Sequence, residues 1–384
     1  MNIVIAGDFC PHDRVEYLLN NQAPIPIDQE IRSIMKSADY SIVNLECPIQ
    51  PENITPVPIL KQGPTLSCSK MVCSWLKDIS CKCVTLANNH FNDLGAEGIK
   101  ATIECLELNN IDHVGGGLSL DEASRSLYID LLGFKLTIIN CCEHEFSVAD
   151  DFIPGSNPLN PINQFYKIVE AKKKSDFVIV IVHGGVEHFQ YPTPRMINTY
   201  RFFIDAGADV VLNHHQHCIC GYECYKDHPI FYGLGNFCFD MDDKRDSIWN
   251  VGYIVNMEIG SDRQLRFETI PYRQCDHTPS VKLLDKGEKE AYQKRIKELS
   301  AVIQDSQKLK NEIRRYYNEN DYLYRKVLSP YSGRMLNGLY RRNLLPSFMG
   351  KERVLALMDF VKCESHYERF LDYIERCYNT YQEN

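Results

Sequence analysis

The sequence predicts an α/β fold, α+β in its layering, followed by a helical extension, and three observations carry that prediction. Short runs rich in Val, Ile and Leu alternate with stretches of helical apolar spacing through about residue 270. Several of those runs stop abruptly on a carboxylate, an amide or an imidazole. From about residue 280 the chain turns charged and helix-prone. The expected division is residues 1–275 for the α/β body and 276–384 for an α-helical extension.

Taken in order, NIVIAG (2–7), YSIVNL (40–45), CVTLAN (83–88), KLTIIN (135–140), FVIVIVH (177–183) and ADVVLN (208–213) are apolar without alternation. That is the pattern of strands buried on both faces. The segment 48–64, PIQPENITPVPILKQGP, carries too many prolines for a central strand or a helix and reads as a long loop. In GAEGIKATIECLELNN, Ile99, Ile103 and Leu106 share a helical face, and PRMINTYRFFIDAGA gives a second helix with Gly207 as its C-cap. VGYIVNMEIG and QLRFETIPY read as later, antiparallel strands. In the tail, Tyr292, Ile296, Leu299 and Ile303 form one stripe, and Val354, Leu357, Val361, Phe370, Ile374 and Cys377 another. Packing on the body is expected for these stripes, with self-association or partner docking as the alternative. Lys326, Arg334, Arg341, Arg342 and Lys351 follow one another with no acidic residue between them, a basic face that could meet an anionic surface.

Composition narrows the class. A length of 384 residues is enough for one large core with an appendage. The chain is 44% hydrophobic and 24% charged, which suits a soluble globular protein. A net charge of −9 argues against general nucleic-acid binding, which needs a basic surface. No apolar run approaches the roughly 20 residues of a membrane-spanning helix. The start, MNIVIAGDFCPHD, reads as a first strand, so a cytoplasmic location is expected. The 16 cysteines are scattered through apolar patterns, as at Cys105 and Cys141, and are expected to be reduced and mostly buried. Two CxC pairs, Cys81/Cys83 and Cys218/Cys220, are weak hints of a thiolate site.

The strand ends carry the chemistry. IVIAGD closes on Asp8, SIVNLE on Glu46, VTLANNH on Asn89 and His90, VIVIVH on His183, and VVLNHHQH on His214, His215 and His217. In open α/β sheets, ligands gather beyond the carboxyl ends of the strands. Five such ends meeting at one rim would form a mixed nitrogen and oxygen site for divalent ions, with a carboxylate able to bridge two of them. Each residue alone has a plain structural alternative. Asp8 could cap a helix, Glu46 could sit solvated in a loop, Asn88 to His90 could form a turn, and His183 could be a hydrogen-bonded strand end. The joint pattern is what argues for metal.

The segments GDF, NLECPI, TLANNHFNDLGAEGI, HGGVEH and FFIDAGADVVLNHHQHCICGYECYKDHPIFYGLGNFCF, in that order, resemble the CapA family of poly-gamma-glutamate capsule biosynthesis proteins. The resemblance runs through about residues 1–240. It implies a calcineurin-like metallophosphoesterase fold, a β-sandwich flanked by helices. It also implies two divalent ions, from among Mn, Fe, Zn and Mg. Asp8 and His217 would hold the first and Asn89 and His215 the second, with Glu46 bridging and His183 a further ligand. Side chains two apart on an extended segment point the same way, which would pair His215 with His217 and turn His214 elsewhere. His90 would assist the leaving group, Glu187 orient His90 or a substrate amine, and Arg195 clamp a phosphate unless it is a surface arginine at a helix start. Asn236 is a candidate for the pocket rim, and His188 and His228 are read as structural.

The function implied is a metal-dependent hydrolase that cleaves a phosphoester with metal-activated water, linked to capsule or poly-gamma-glutamate biosynthesis. Its substrate would be small or polymeric, phosphorylated or acidic. The alternative is a non-catalytic, metal-binding assembly component of polymer synthesis or export. The sequence departs from the pattern at four places. Cys10 replaces a histidine, with His12 nearby but out of register. Asn213 replaces glycine, Gln216 proline and Gly184 tryptophan, the last opening space beside His183.

Overall fold

The computed structural model describes residues 1–384 except 62, 261, 328–330, 332, 363–369, 371–373 and 375–384, with the backbone alone for 321–327, 359, 360 and 362. By its internal contacts the chain divides into compact units Met1–Lys310 and Asn311–Asn384.

In the first unit, β1 (Asn2–Cys10), β2 (Tyr40–Leu45), β3 (Cys83–Thr85) and β4 (Asp112–Val114) lie parallel, side by side. Then come β5 (Gly116–Gly117), β6 (Leu127–Leu131) and β7 (Phe134–Cys142), and β8 (Gly155–Ser156) pairs back with β5. A second sheet takes β9 (Phe177–His183), β10 (Val210–His214), β11 (Tyr222–Tyr225) and β12 (His228–Phe231) in the order β11-β12-β10-β9-β7-β6. β13 (Asn236–Phe239) returns to lie beside β1. β14 (Val251–Ile259), β15 (Leu265–Gln274) and β16 (Val281–Leu283) extend the first sheet antiparallel, giving β16-β15-β14-β1-β2-β3-β4.

The unbroken apolar runs explain the layering. Every residue of β2, β9 and β10 is buried, because each strand is covered on both faces. On one side of the first sheet, Val4, Val43, Val84 and Ile254 share an apolar cluster with Val15, Ile31, Trp75 and Leu106 of the covering helices. On the other side the two sheets meet. The Phe231 ring of β12 lies 6.5 Å from Tyr253 of β14 and 5.0 Å from Phe267 of β15. Helices Pro161–Lys174 and Pro194–Ala206 pack on the second sheet. The latter starts at Thr193, whose side chain accepts from the Met196 N–H, and ends at Gly207 with φ +118°.

One element differs from the sequence reading. CVTLAN keeps strand geometry only over Cys83–Thr85, because Asn88 N–H bonds Leu86 O at 2.9 Å and starts a turn. Helix Lys286–Gln304 packs its apolar stripe within the first unit, as expected for a stripe that covers the body. Its Leu299 and Ile303 are buried, and the Tyr292 ring lies tilted with its centroid 6.0 Å from that of Tyr253.

In the second unit, helix Lys351–Lys362 leaves Val354 and Val361 exposed, and Ile374 is exposed as well. Arg334, Arg341, Arg342 and Lys351 are exposed. Cys377 and the side chain of Lys326 lie outside the described residues. Among the described residues, no helix is long and apolar enough to cross a membrane.

Candidate metal centre

The carboxyl ends of β1, β2, β3, β9 and β10 deliver their polar residues to one buried cluster. At Gly7 a Cβ would stand 1.8 Å from Gly235 O, so β1 and β13 can approach only as bare backbone. The register then slips between Asp8 and Phe9, a bulge of the kind that re-aims a side chain. Asp8 is buried, and its Oδ1 accepts from Asn44 Nδ2 at 2.7 Å while His217 Nδ1 stands 3.5 Å from its Oδ2. Glu46 follows β2 directly, its N–H fixed on Phe9 O at 3.0 Å. It is fully buried, and neither of its carboxylate oxygens has a hydrogen-bond donor. Its Oε1 lies 3.5 Å from His183 Nε2 and 3.6 Å from His217 Nε2.

His183 and His214, the last residues of β9 and β10, are register partners. His183 Nε2 lies 2.9 Å from Asn89 Oδ1 and 3.0 Å from His215 Nδ1, so several lone pairs converge on one small volume. The extended alternation expected for His215 and His217 is absent. β10 ends at His214, and His215 (φ +89°) and His217 (φ +54°) have left-handed backbone. A non-glycine residue held there costs on the order of 1–3 kcal/mol, and such strain gathers at functional sites. A tight turn brings both rings inward, with centroids 6.0 Å apart. His214 does not point elsewhere. It is buried with Nδ1 3.4 Å from Asp8 Oδ1, and neither of its ring nitrogens makes a hydrogen bond.

The departures at 213 and 216 are what tie this turn. Asn213 Nδ2 donates to Gly184 O and His214 O, both at 2.8 Å, and its Oδ1 accepts from Tyr200 Oη at 2.6 Å. Gln216 Nε2 donates to Phe189 O at 2.8 Å. Asn236, read as a rim residue, is wholly buried, with Oδ1 2.9 Å from His217 Nδ1. That bond turns His217 Nε2 toward Glu46, the usual task of a partner behind a ligating histidine.

His90 lies against two residues that carry no motif of their own in the sequence reading. Its Nδ1 is 2.8 Å from Asp93 Oδ2 and 2.9 Å from Lys61 Nζ. Lys61 belongs to the proline-rich loop and is buried against Asp93. The loop is pinned there by Ile59 N–H on Asp93 O at 3.2 Å.

Glu187 is exposed. The protein packed around its carboxylate, which partly desolvates it, raises its pKa, but His217 and His215 outweigh that and leave it lowered. Arg195 does not reach the cluster and pairs with Glu143, which also accepts from Gly185 N–H at 3.0 Å. Glu143 fills the space opened at Gly184, where a Cβ would stand 2.5 Å from its Cγ. Cys10 is buried, which pushes its thiol up to about 11 and keeps it a poor ligand at neutral pH. His12 turns away to Asp240 O at 3.1 Å. His188 packs its ring 5.7 Å from Trp249, and His228 Nδ1 meets Asp209 O at 3.1 Å. The sequence reading also missed Asn44 and Glu145, whose Oε1 stands 3.5 Å from His215 Nε2.

The electrostatics are compatible with a cation. Burial, and then Asp8, pushes the Glu46 carboxyl well above its ordinary range. Burial lowers His183 well below its ordinary value and His215 to about 4. Two sets of ligand atoms, Asp8–Glu46–His183 and Glu46–His215–His217, each lie within 4.8 Å of one another. Glu46 belongs to both. Oxygen and imidazole donors together suit a borderline divalent ion, whose charge would satisfy the unpartnered Glu46 oxygens. Neither CxC pair contributes to such a group among the described residues.

Residues 2–241 match the family described as bacterial capsule synthesis protein PGA_cap. The PGA biosynthesis protein CapA of Bacillus subtilis (strain 168) is 30% identical over 282 residues, 71% of this chain and 72% of its own length. The capsule biosynthesis protein CapA of Bacillus anthracis is 28% identical over 246 residues, 62% of this chain, and the chain spans 60% of that relative's length. A probable polyglutamine synthesis accessory protein of Mycobacterium tuberculosis is 24% identical over 257 residues, 60% of this chain and 65% of its own. Among solved structures, a novel phosphatase from Mycoplasma pneumoniae aligns over 72% of this chain and 95% of its own at 15% identity, with a TM-score of 0.45. With 240 contiguous positions matched and the cluster assembled from the matching segments, the chain belongs to the bacterial capsule synthesis family PGA_cap.

Proposed function

We propose that this protein is a metal-dependent phosphoester hydrolase serving capsule-polymer synthesis, acting on a small or polymeric substrate that is phosphorylated or acidic. The observation that carries the reading is Glu46, a fully buried carboxylate with neither oxygen hydrogen-bonded, placed between His183 and His217. Asp8, Glu46, Asn89, His183, His215 and His217 would hold two divalent ions. Bound there, such ions would polarise a phosphoryl oxygen and lower the pKa of water.

The remaining steps belong to the chain. His90 is oriented through Nδ1 by Asp93 and Lys61, which leaves Nε2 to donate to a leaving oxygen. When Lys61 donates to Nδ1, the neutral ring carries its hydrogen on Nε2. His90 then acts as a donor although burial lowers its pKa. Asn236 holds His217, and Asn44 holds Asp8, so their donor atoms are set before substrate arrives. Glu187, exposed, is left to orient a substrate amine or His90. Relatives named for PGA biosynthesis and capsule biosynthesis support a capsule polymer or its precursor as the substrate class.

Cys10 favours a second reading, a non-catalytic metal-binding assembly component. A protonated thiol at that position leaves the first ion fewer ligands than the wider pattern provides.

Metal analysis of the purified chain, paired with hydrolysis of an aryl phosphate mono- or diester in Mn²⁺, tests both. Turnover is expected, and His90→Ala should abolish it with the metal retained. A metal-loaded wild type inert toward all such esters would leave only the assembly reading. A protein without metal would remove both.

A further inference from the structure

The site just described does not involve the helices that follow its two flanking segments, and these helices carry a pair of cysteines. Cys73, in helix Val72–Asp78, is buried, and Cys105, in helix Gly95–Leu108, is partly exposed. Their Sγ atoms stand 3.1 Å apart. A disulfide needs about 2.05 Å, so closure asks for a movement of about 1 Å. Both cysteines line a surface cavity of about 600 Å³, together with Glu52, Lys70, Lys100 and Glu104. Charges of both signs around the sulfurs suit a zwitterionic peptide-like molecule. We propose that Cys73 and Cys105 are a thiol-oxidation site, which reacts with low-molecular-weight disulfides of the glutathione class and closes into an intrachain disulfide.

The surroundings assign the two roles. Cys105 Sγ is the better supported sulfur: it faces Cys73 Sγ, Asn109 Nδ2 stands 3.8 Å from it, and Lys70, itself paired with Glu52, lies nearby. Cys105 is therefore the readier thiolate and the accessible one. Its thiolate attacks one sulfur of the small disulfide, breaking that S–S bond and releasing one thiolate, which takes a proton from solvent. Cys73 then gives up its proton and attacks Cys105 Sγ, displacing the second small thiol. The chain loses two electrons and two protons, and the small disulfide is reduced to two thiols. The new bond would tie the helix after the Lys61 loop to the helix after the Asn89–Asp93 segment. Cys238 and Cys275, 3.9 Å apart and both buried, offer a pair without access.

The test incubates the full chain with oxidised glutathione, traps free thiols with N-ethylmaleimide and maps tryptic peptides. Wild type is expected to yield a peptide pair joined through Cys73 and Cys105. Cys73→Ser and Cys73→Ala should both stop with one glutathione on Cys105, and Cys105→Ser should leave Cys73 unmodified. In the reduced protein, Cys105 should be alkylated at least about tenfold faster than Cys238. The proposal is overturned if exposed Cys224 takes up glutathione while no joined peptide forms in wild type. It is also overturned if Cys105 stays unmodified in both Cys73 variants.

Discussion

The ammonium of Lys61 lies 2.9 Å from His90 Nδ1, a nitrogen that also stands 2.8 Å from Asp93 Oδ2. One nitrogen cannot donate to the carboxylate and accept from the ammonium at once, so the pair of neighbours selects the tautomer of His90. The proline-rich loop thus takes part in the site through a charge that almost no solvent reaches. Lys61→Met strands the buried Asp93 carboxylate, a change that costs about 3 kcal/mol. Denaturant unfolding should show that loss, and hydrolysis should fall while metal content holds. Unchanged stability would mean that Lys61 is not buried against Asp93.

Glu46 makes metal removal a stability experiment. Its carboxylate is buried with no donor, so chelation should lower the melting temperature and Mn²⁺ should restore it. Glu46→Gln removes a carboxyl whose ionisation the metal-free fold disfavours. That variant should be more stable than metal-free wild type by about 1–3 kcal/mol and indifferent to Mn²⁺. A melting temperature that still climbs with Mn²⁺ as in wild type would exclude Glu46 as a shared ligand.

What could be read in the sequence divides along a physical line. Asp8, Glu46, His183 and the histidines after β10 announce themselves because each ends an apolar run, and strand ends in such folds point at one rim. The way His215 and His217 converge was not legible, since a left-handed turn leaves no trace of period two or of glycine. Asn44 could have been found, as a polar residue inside a fully buried strand, and Asp93 stands three residues after His90. Lys61 had no local mark at all. Its role depends on where a long loop lies, which long-range contacts decide.

Glu143 and Gly184 form a size-matched pair, since a Cβ at 184 would meet Glu143 Cγ at 2.5 Å. Gly184→Ala should cost about 1–3 kcal/mol, and Glu143→Ala in the same chain should recover most of it. Equal costs with and without Glu143 would place the strain elsewhere.

Arg195 is more than half exposed and spends its guanidinium on Glu143. Arg195→Ala should therefore cost less than about 1 kcal/mol and leave KM for an aryl phosphate unchanged. A KM raised about tenfold would instead return Arg195 to the role of phosphate clamp.

Asn213 stands where the CapA pattern has glycine, and its amide holds the histidine turn from inside. It donates to Gly184 O and His214 O and accepts from Tyr200 Oη, all in a buried setting. Asn213→Gly would leave the Tyr200 hydroxyl without its partner and two carbonyls without a donor. The expected loss is about 2–4 kcal/mol. Tyr200→Phe should be costly alone and nearly free in the Asn213→Gly background, because the hydroxyl then has nothing left to lose. The turn also positions His215 and His217, so metal affinity should fall about tenfold in Asn213→Gly. Calorimetric titration with Mn²⁺ and a double-mutant unfolding cycle read the two effects separately. Additive costs for the two substitutions would show that Tyr200 and Asn213 act independently and that the turn is held by other contacts.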